Sequence, residues 1–144
     1  MEKYLDVNND FGNYYDQACH GDSFAQVFLG MYYNEGYNKD GISIPKNLKE
    51  SVRWYKKAAA QGHVIAYTNL GYCYIEGEGV EKDVERGVEL LKKAVQGGYG
   101  YAALLLAVYY QGINEDETVH WLRKGAEMGD QDCIGFLKKK GYKV

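Results

Sequence analysis

Several short stretches of this chain carry residue types that could do chemistry. The run GEGVEKD at residues 77–83 sets two glycines two apart, followed by a Lys and an Asp. That order resembles a phosphate-cradling loop, in which backbone amides close around a phosphate at a helix start. His20, His63 and His120 are candidate general bases or metal ligands, and Cys19, Cys73 and Cys133 are candidate nucleophiles. NEDET at 114–118 could hold a cation, and KKK at 138–140 could touch phosphate.

Spacing argues against most of this chemistry. The cysteines are 54 and 60 residues apart, which gives no CxxC and no metal pattern. No Ser or Cys sits in a motif that would pair with a histidine as a triad. The NEDET carboxylates open a helix and the KKK amines close one before Gly141, where the helix dipole favours each sign. A net charge of -3 lacks the basic footprint of a nucleic-acid binder. The first twelve residues, MEKYLDVNNDFG, show no apolar core of a signal peptide. No stretch approaches the ~20 apolar residues that cross a bilayer. The expectation is a cytoplasmic chain with free thiols that uses no metal, cofactor, membrane or nucleic acid.

The elements that would position these residues repeat. Lys57, Ala58, Gly62 and Ala66 recur as Lys93, Ala94, Gly98 and Ala102, a shift of 36. A further shift of 31 gives Lys124, Gly129 and Cys133, while Gly21 and Ala25 lie 41 residues before Gly62 and Ala66. The unequal lengths have one source. From Asn47, Asp83 or Asn114 to the next of these glycines the distance is always 15. From Ala25, Ala66 or Ala102 to that polar residue it is 22, 17 or 12. All variation therefore falls in one loop, where added length costs little closure entropy.

The constant part reads as a helix. Asn47, Asp83 and Asn114 are N-cap types, and Glu50 and Glu117 follow three residues on, as in a capping box. Leu48, Val52, Trp54 or Tyr55, and Ala58 or Ala59 keep helical spacing, as do Val84, Val88, Leu91 and Val95. Gly62, Gly98 and Gly129 end these helices as left-handed caps. A second helix of each unit starts near the small residue. Its apolar face is Ala25, Leu29 and Tyr33, then Ala66, Leu70 and Tyr74, then Ala102, Leu106 and Tyr110. Helical hairpins with apolar faces need neighbours, so the units stack as a solenoid. The spacing predicts helix pairs at 24–35/47–61, 65–76/83–97 and 101–111/114–127, one helix before them at Asp6 to Cys19, and one after them at Cys133 to Lys140.

The combined pattern, A-x-x-x-L-G-x-x-Y-x-x-G-x-G-V-x-x-D, then a Trp-containing helix and K-A-A-x-x-G, resembles the SEL-one-like repeat family, relatives of the tetratricopeptide repeats. The second unit carries it in Ala66, Leu70, Gly71, Tyr74, Gly77, Gly79, Val80 and Asp83. The first keeps Ala25, Leu29, Gly30, Tyr33, Gly36, Trp54 and Lys57-Ala58-Ala59. The third has Ala107 for the first Gly and lacks G-x-G-V, and Leu90 replaces Trp in unit two. The resemblance implies an all-α, right-handed α-solenoid. It is read as a single repeat domain over 1–144, with a half-unit at 5–21, repeats at 22–62, 63–98 and 99–129, and a capping helix at 130–144. Gly77 and Gly79 then belong to a tight turn between two helices, since no strand precedes them.

The family resemblance also implies a function. An adaptor or scaffold that binds another protein and catalyses nothing is expected, with the first helices lining the concave side. The partner-binding set is Met31, Asn34 and Glu35, then Thr68, Tyr72, Ile75 and Glu76, then Val108 and Gln111. Val27 and Leu104 share that side but are closer to packing positions. Small size, acidity and the lack of other motifs point to a narrower expectation: an immunity or inhibitor protein that neutralises a basic toxin domain. The contrasting class is an accessory or hydrolytic enzyme domain with a histidine/carboxylate site.

Overall fold

Three polar side chains fold back to start three helices. The Oδ1 atoms of Asn47, Asp83 and Asn114 accept from the backbone N–H of Glu50, Arg86 and Glu117, each at 3.1 Å. Each cap satisfies a donor that a helix start leaves orphaned. The computed structural model describes residues 11–39 and 41–144. In chain order its elements are α1 (Phe11–Cys19), α2 (Ser23–Glu35), β1 (Tyr37–Lys39), β2 (Ile42–Ile44), α3 (Leu48–Ala60), α4 (Val64–Glu76), α5 (Val84–Gln96), α6 (Gly100–Tyr110), α7 (Glu115–Glu127) and α8 (Gln131–Lys139). The six repeat helices fall within one residue of the expected ends. The expected start of the first helix and half-unit, at residues 5–10, lies outside the described residues, as does most of the segment searched for a signal peptide.

Helices pair as α2 with α3, α4 with α5 and α6 with α7, and each pair stacks on the next through α3–α4 and α5–α6. Small residues set the crossings. Gly71 and Gly87 face each other so closely that a Cβ on Gly71 would lie 2.9 Å from the Gly87 carbonyl oxygen. In the first pair the corresponding contact is between Gly30 and the Tyr55 ring. There the Ser51 hydroxyl, fully buried, donates to the Gly30 carbonyl at 2.6 Å. Ala66, Ala102 and Cys133 are all buried without measurable exposure, which is why this slot takes only small side chains.

The loop that varies in length is pinned at the same two points in every unit. The Asn47 amide donates to the Tyr33 carbonyl at 2.7 Å, that of Asp83 to Tyr74 at 2.9 Å, and that of Asn114 to Tyr110 at 2.9 Å. Whatever chain lies between is free to differ. In the first unit it is not the plain loop read from the sequence but a β-hairpin, with Tyr37 opposite Ile44 and Lys39 opposite Ile42. The Tyr37 ring meets Tyr32 of α2 edge-on at 4.9 Å, which ties the hairpin to the helix before it. The alternation Ile42–Ser43–Ile44 behind Gly41, whose φ is 79°, was the available signal.

Gly77 and Gly79 form the expected helix-to-helix turn. Gly77 caps α4 in the left-handed region at φ 71°. Gly79 abuts the Leu48 carbonyl so tightly that no side chain fits. The turn follows helix α4 and not a strand, so the strand-to-helix context of a phosphate-cradling loop is missing.

Candidate functional site

The first helices of each unit differ from their partners in charge. Glu35 and Glu76, at matching positions near their ends, are the only ionised side chains on α2 and α4, and α6 has none. Lys and Arg sit on α3, α5 and α7 instead. The first helices make no close backbone approach to one another comparable to their approach to the second helices. Side chains span the space between them and leave it incompletely filled.

Two adjoining hollows result. The larger, of about 530 Å³, is lined by Phe24, Phe28, Met31 and Glu35 from α2, by His63, Ile65 and Asn69, and by Tyr99 and Tyr101. The smaller, of about 140 Å³, continues from Asn69 and Tyr101 to Asn34, Tyr72 and Leu105. Large rings lie open on this face: Phe24 is 62% exposed, Tyr101 45% and Tyr72 42%. Neither hollow is lined by Lys or Arg.

Of the residues expected to bind a partner, Met31, Asn34, Glu35 and Tyr72 line these hollows, and Glu76 is exposed beside Tyr72. The others are placed elsewhere. Thr68 is fully buried and its hydroxyl donates to the Val64 carbonyl at 2.9 Å, so it presents no surface. Ile75 packs into the crossing at Gly87. Val108 is 52% exposed, but it and Gln111 line a separate crevice of about 20 Å³ against α7 and α8. Val27 and Leu104 are buried, Val27 lining the larger hollow and Leu104 the separate crevice. Of the matching positions Met31, Tyr72 and Val108, the first two thus line the adjoining hollows and the third does not.

Sequence reasoning missed Phe24, Ile65 and Tyr101, which form a more continuous row. Each directly precedes the small residue of its unit, so a large side chain at that position in all three units was the signal. His63 and Tyr99 were missed as wall residues because they belong to the turn. Their slot is the helix N-cap, where Asp22 and Asp130 do bond to a backbone amide but His63 and Tyr99 do not.

The electrostatics of the face follow from burial. The ring of His63 meets Phe24 edge-on at 4.6 Å, and both its nitrogens are covered with no hydrogen-bond partner. Burial lowers its pKa below the ordinary 6.5, against the weaker opposing pull of Asp22, so the ring is neutral near pH 7. Burial, then Glu76 and Glu78, raise the Tyr72 phenol, which stays a hydrogen-bond donor. Burial, then Glu78, push the Cys73 thiol up to about 11, so it is no thiolate nucleophile at neutral pH. Elsewhere, Glu115 of the acidic run pairs with Lys140 of the lysine run at 2.9 Å, and Glu117 accepts from the Trp121 indole N–H at 2.9 Å. A single pair thus links the two runs across α7 and the end of α8. Among the described residues no group of three or more His, Cys, Asp and Glu is placed to hold a metal ion, and no helix is long and apolar enough to cross a membrane.

Known proteins resemble this chain in sequence and in fold. An uncharacterized protein of Neisseria meningitidis serogroup B is 35% identical over 120 residues, which is 83% of this chain and 24% of that protein. The chain thus spans about a quarter of the length of this curated relative. The crystal structure of c5321, a protective antigen of uropathogenic Escherichia coli with an SLR fold, matches with a TM-score of 0.74 and 31% identity, covering 92% of this chain and 29% of that one. The immunity protein Pa5087 of Pseudomonas aeruginosa matches in fold, with a TM-score of 0.50 and 20% identity over 88% of this chain and 60% of that one. The description "Sel1 repeat" matches three times, at residues 23–63, 64–99 and 100–130. With its paired helices, small-residue crossings and pinned loops, this chain belongs to the Sel1 repeat family.

Proposed function

We propose that this chain is a non-catalytic protein–protein interaction module of the adaptor or scaffold kind, which binds its partner on the face formed by α2, α4 and α6. One observation carries the reading: a face hollowed across three helices, lined by aromatic and aliphatic side chains and left open. Large exposed apolar patches mark interaction surfaces, and exposed Tyr and Phe are efficient anchors because they bury much area for little lost rotamer freedom. The family's repeat architecture, which presents extended surfaces rather than catalytic clefts, supports the same reading.

The narrower role is that of an immunity protein blocking a basic toxin domain. Net charge of -3 and an inner face whose only ionised groups are carboxylates support it. The Pseudomonas immunity protein contributes its architecture alone to this reading.

The test is Tyr72→Ala and Phe24→Ala beside Lys139→Ala, with folding checked by circular dichroism. A partner recovered with the parent chain is titrated against all three. Loss of a central anchor costs about 2 kcal/mol or more, over tenfold in affinity. Equal affinity for all variants would move the binding surface away from this face.

A further inference from the structure

The charge of the hollowed face restricts what can cover it. Among the residues lining the two hollows, Glu35 is the only ionised one, because burial keeps His63 neutral. Glu76 and Glu78 lie beside Tyr72 at the neighbouring end of α4. Among the described residues none of these three carboxylates forms an ion pair. Glu35 and Glu76 also sit at the carbonyl ends of α2 and α4, where the helix dipole adds to the negative potential. None of the protein's own cations on α3, α5 and α7 lines either hollow.

We infer that the occupant of this face is a short apolar or aromatic segment of a partner protein that carries one Lys or Arg directed at Glu35. The inference rests on the proposed protein-binding role of the face. A segment covering the hollow strips water from the Glu35 carboxylate. An unpaired carboxylate in that position costs the full desolvation penalty, whereas a matched cation recovers it through a charge-assisted hydrogen bond. A neutral apolar segment is therefore disfavoured and an acidic one is repelled, so one residue sets specificity as much by exclusion as by attraction. Crossing from α2 to α6 spans two interhelical steps, each at least the about 8–10 Å of helices in close contact. At about 3.3 Å per residue, an extended segment of roughly six residues is the shortest that covers that distance.

The experiment selects a displayed library of random hexapeptides against the full chain and titrates labelled enriched peptides by fluorescence anisotropy. Enriched peptides are expected to combine two or more apolar or aromatic residues with a Lys or Arg. Replacing that cation with Gln should weaken binding about tenfold. Glu35→Gln should weaken the cationic peptides similarly but bind their Gln versions as tightly or more tightly, because no unpaired carboxylate is then covered, which a structural effect of the substitution would not do. Enriched peptides without a cation, or an unchanged affinity with Glu35→Gln, overturn the cation rule. If Phe24→Ala and Tyr101→Ala still weaken binding in that case, the face itself stands as the binding surface. If no peptide is enriched, or none responds to Phe24→Ala and Tyr101→Ala, the face fails and the inference fails with it.

Discussion

The neighbouring helices α5 and α6 meet the demand for burial in opposite ways. In α5 the buried residues are Gly87, Val88, Leu91, Ala94 and Val95, and Glu85, Arg86, Glu89, Lys92 and Lys93 stay in water. In α6 there is no charged side chain, and it buries Ala102, Ala103, Leu104, Leu106 and Ala107 while Tyr101 and Val108 remain exposed. The number of neighbours does not separate them, since α5 lies against α4 and α6, and α6 against α5 and α7. α5 gathers its apolar residues on one face and its charges on the other, which is how an amphipathic sequence states its buried side. α6 is gripped by α5 and α7 and is apolar nearly all round, so the part left uncovered is also apolar. α5 shows solvent a charged surface, whereas α6 shows it an uncharged one.

The strongest test of that contrast is an outer-helix anchor. Trp54 of α3 is 1% exposed and packs with Tyr14, Ala18, Ala25 and Leu29 from the two preceding helices. Trp54→Ala should cost about 3–5 kcal/mol in urea unfolding. Tyr101→Ala on the inner face should cost far less, and equal losses would abolish the distinction between anchor and open surface.

A smaller effect tests the crossings. Ala66 has no exposure, and Ala66→Leu should overpack the α4 contacts and cost about 1–3 kcal/mol, read as a lower melting temperature. An unchanged melting temperature would mean that the slot tolerates volume. Next comes the outer-helix cap. Asn114→Ala removes the bond to the Glu117 amide and should cost about 1 kcal/mol by the same measurement.

The smallest expected effect belongs to His63. Its folded pKa lies below the ordinary 6.5, so the unfolded chain takes up the proton first as pH falls. The stability from its neutral form is present above about pH 6.5 and is lost as pH drops through the folded pKa. The urea midpoint should therefore fall between pH 7.5 and 5.5, and His63→Asn, which keeps a cap-competent side chain, should reduce that fall. An identical decline in both proteins would assign it to other groups.

The sequence by itself determined the repeat, its helices and its caps. Asn47, Asp83 and Asn114 act through bonds three residues away, and Gly62, Gly98 and Gly129 through their own φ angles of 82°, 90° and 83°, so such local signals read directly. The hairpin at Tyr37–Ile44 was nearly legible, since its alternation is local but only three residues long in each strand. Only the tertiary structure decided the face. Thr68, Tyr72 and Ile75 lie three or four residues apart on α4, yet one is sealed inside, one is open and one is wedged against Gly87. Helical spacing fixes which side chains share a side. How closely α5 approaches, and how far α2 and α6 stand off, fixes which of them meet water. That distance depends on residues far apart in the chain, such as Tyr101 across from Met31 and Asn34, which precede it by 70 and 67 positions, and on no feature of α4 alone.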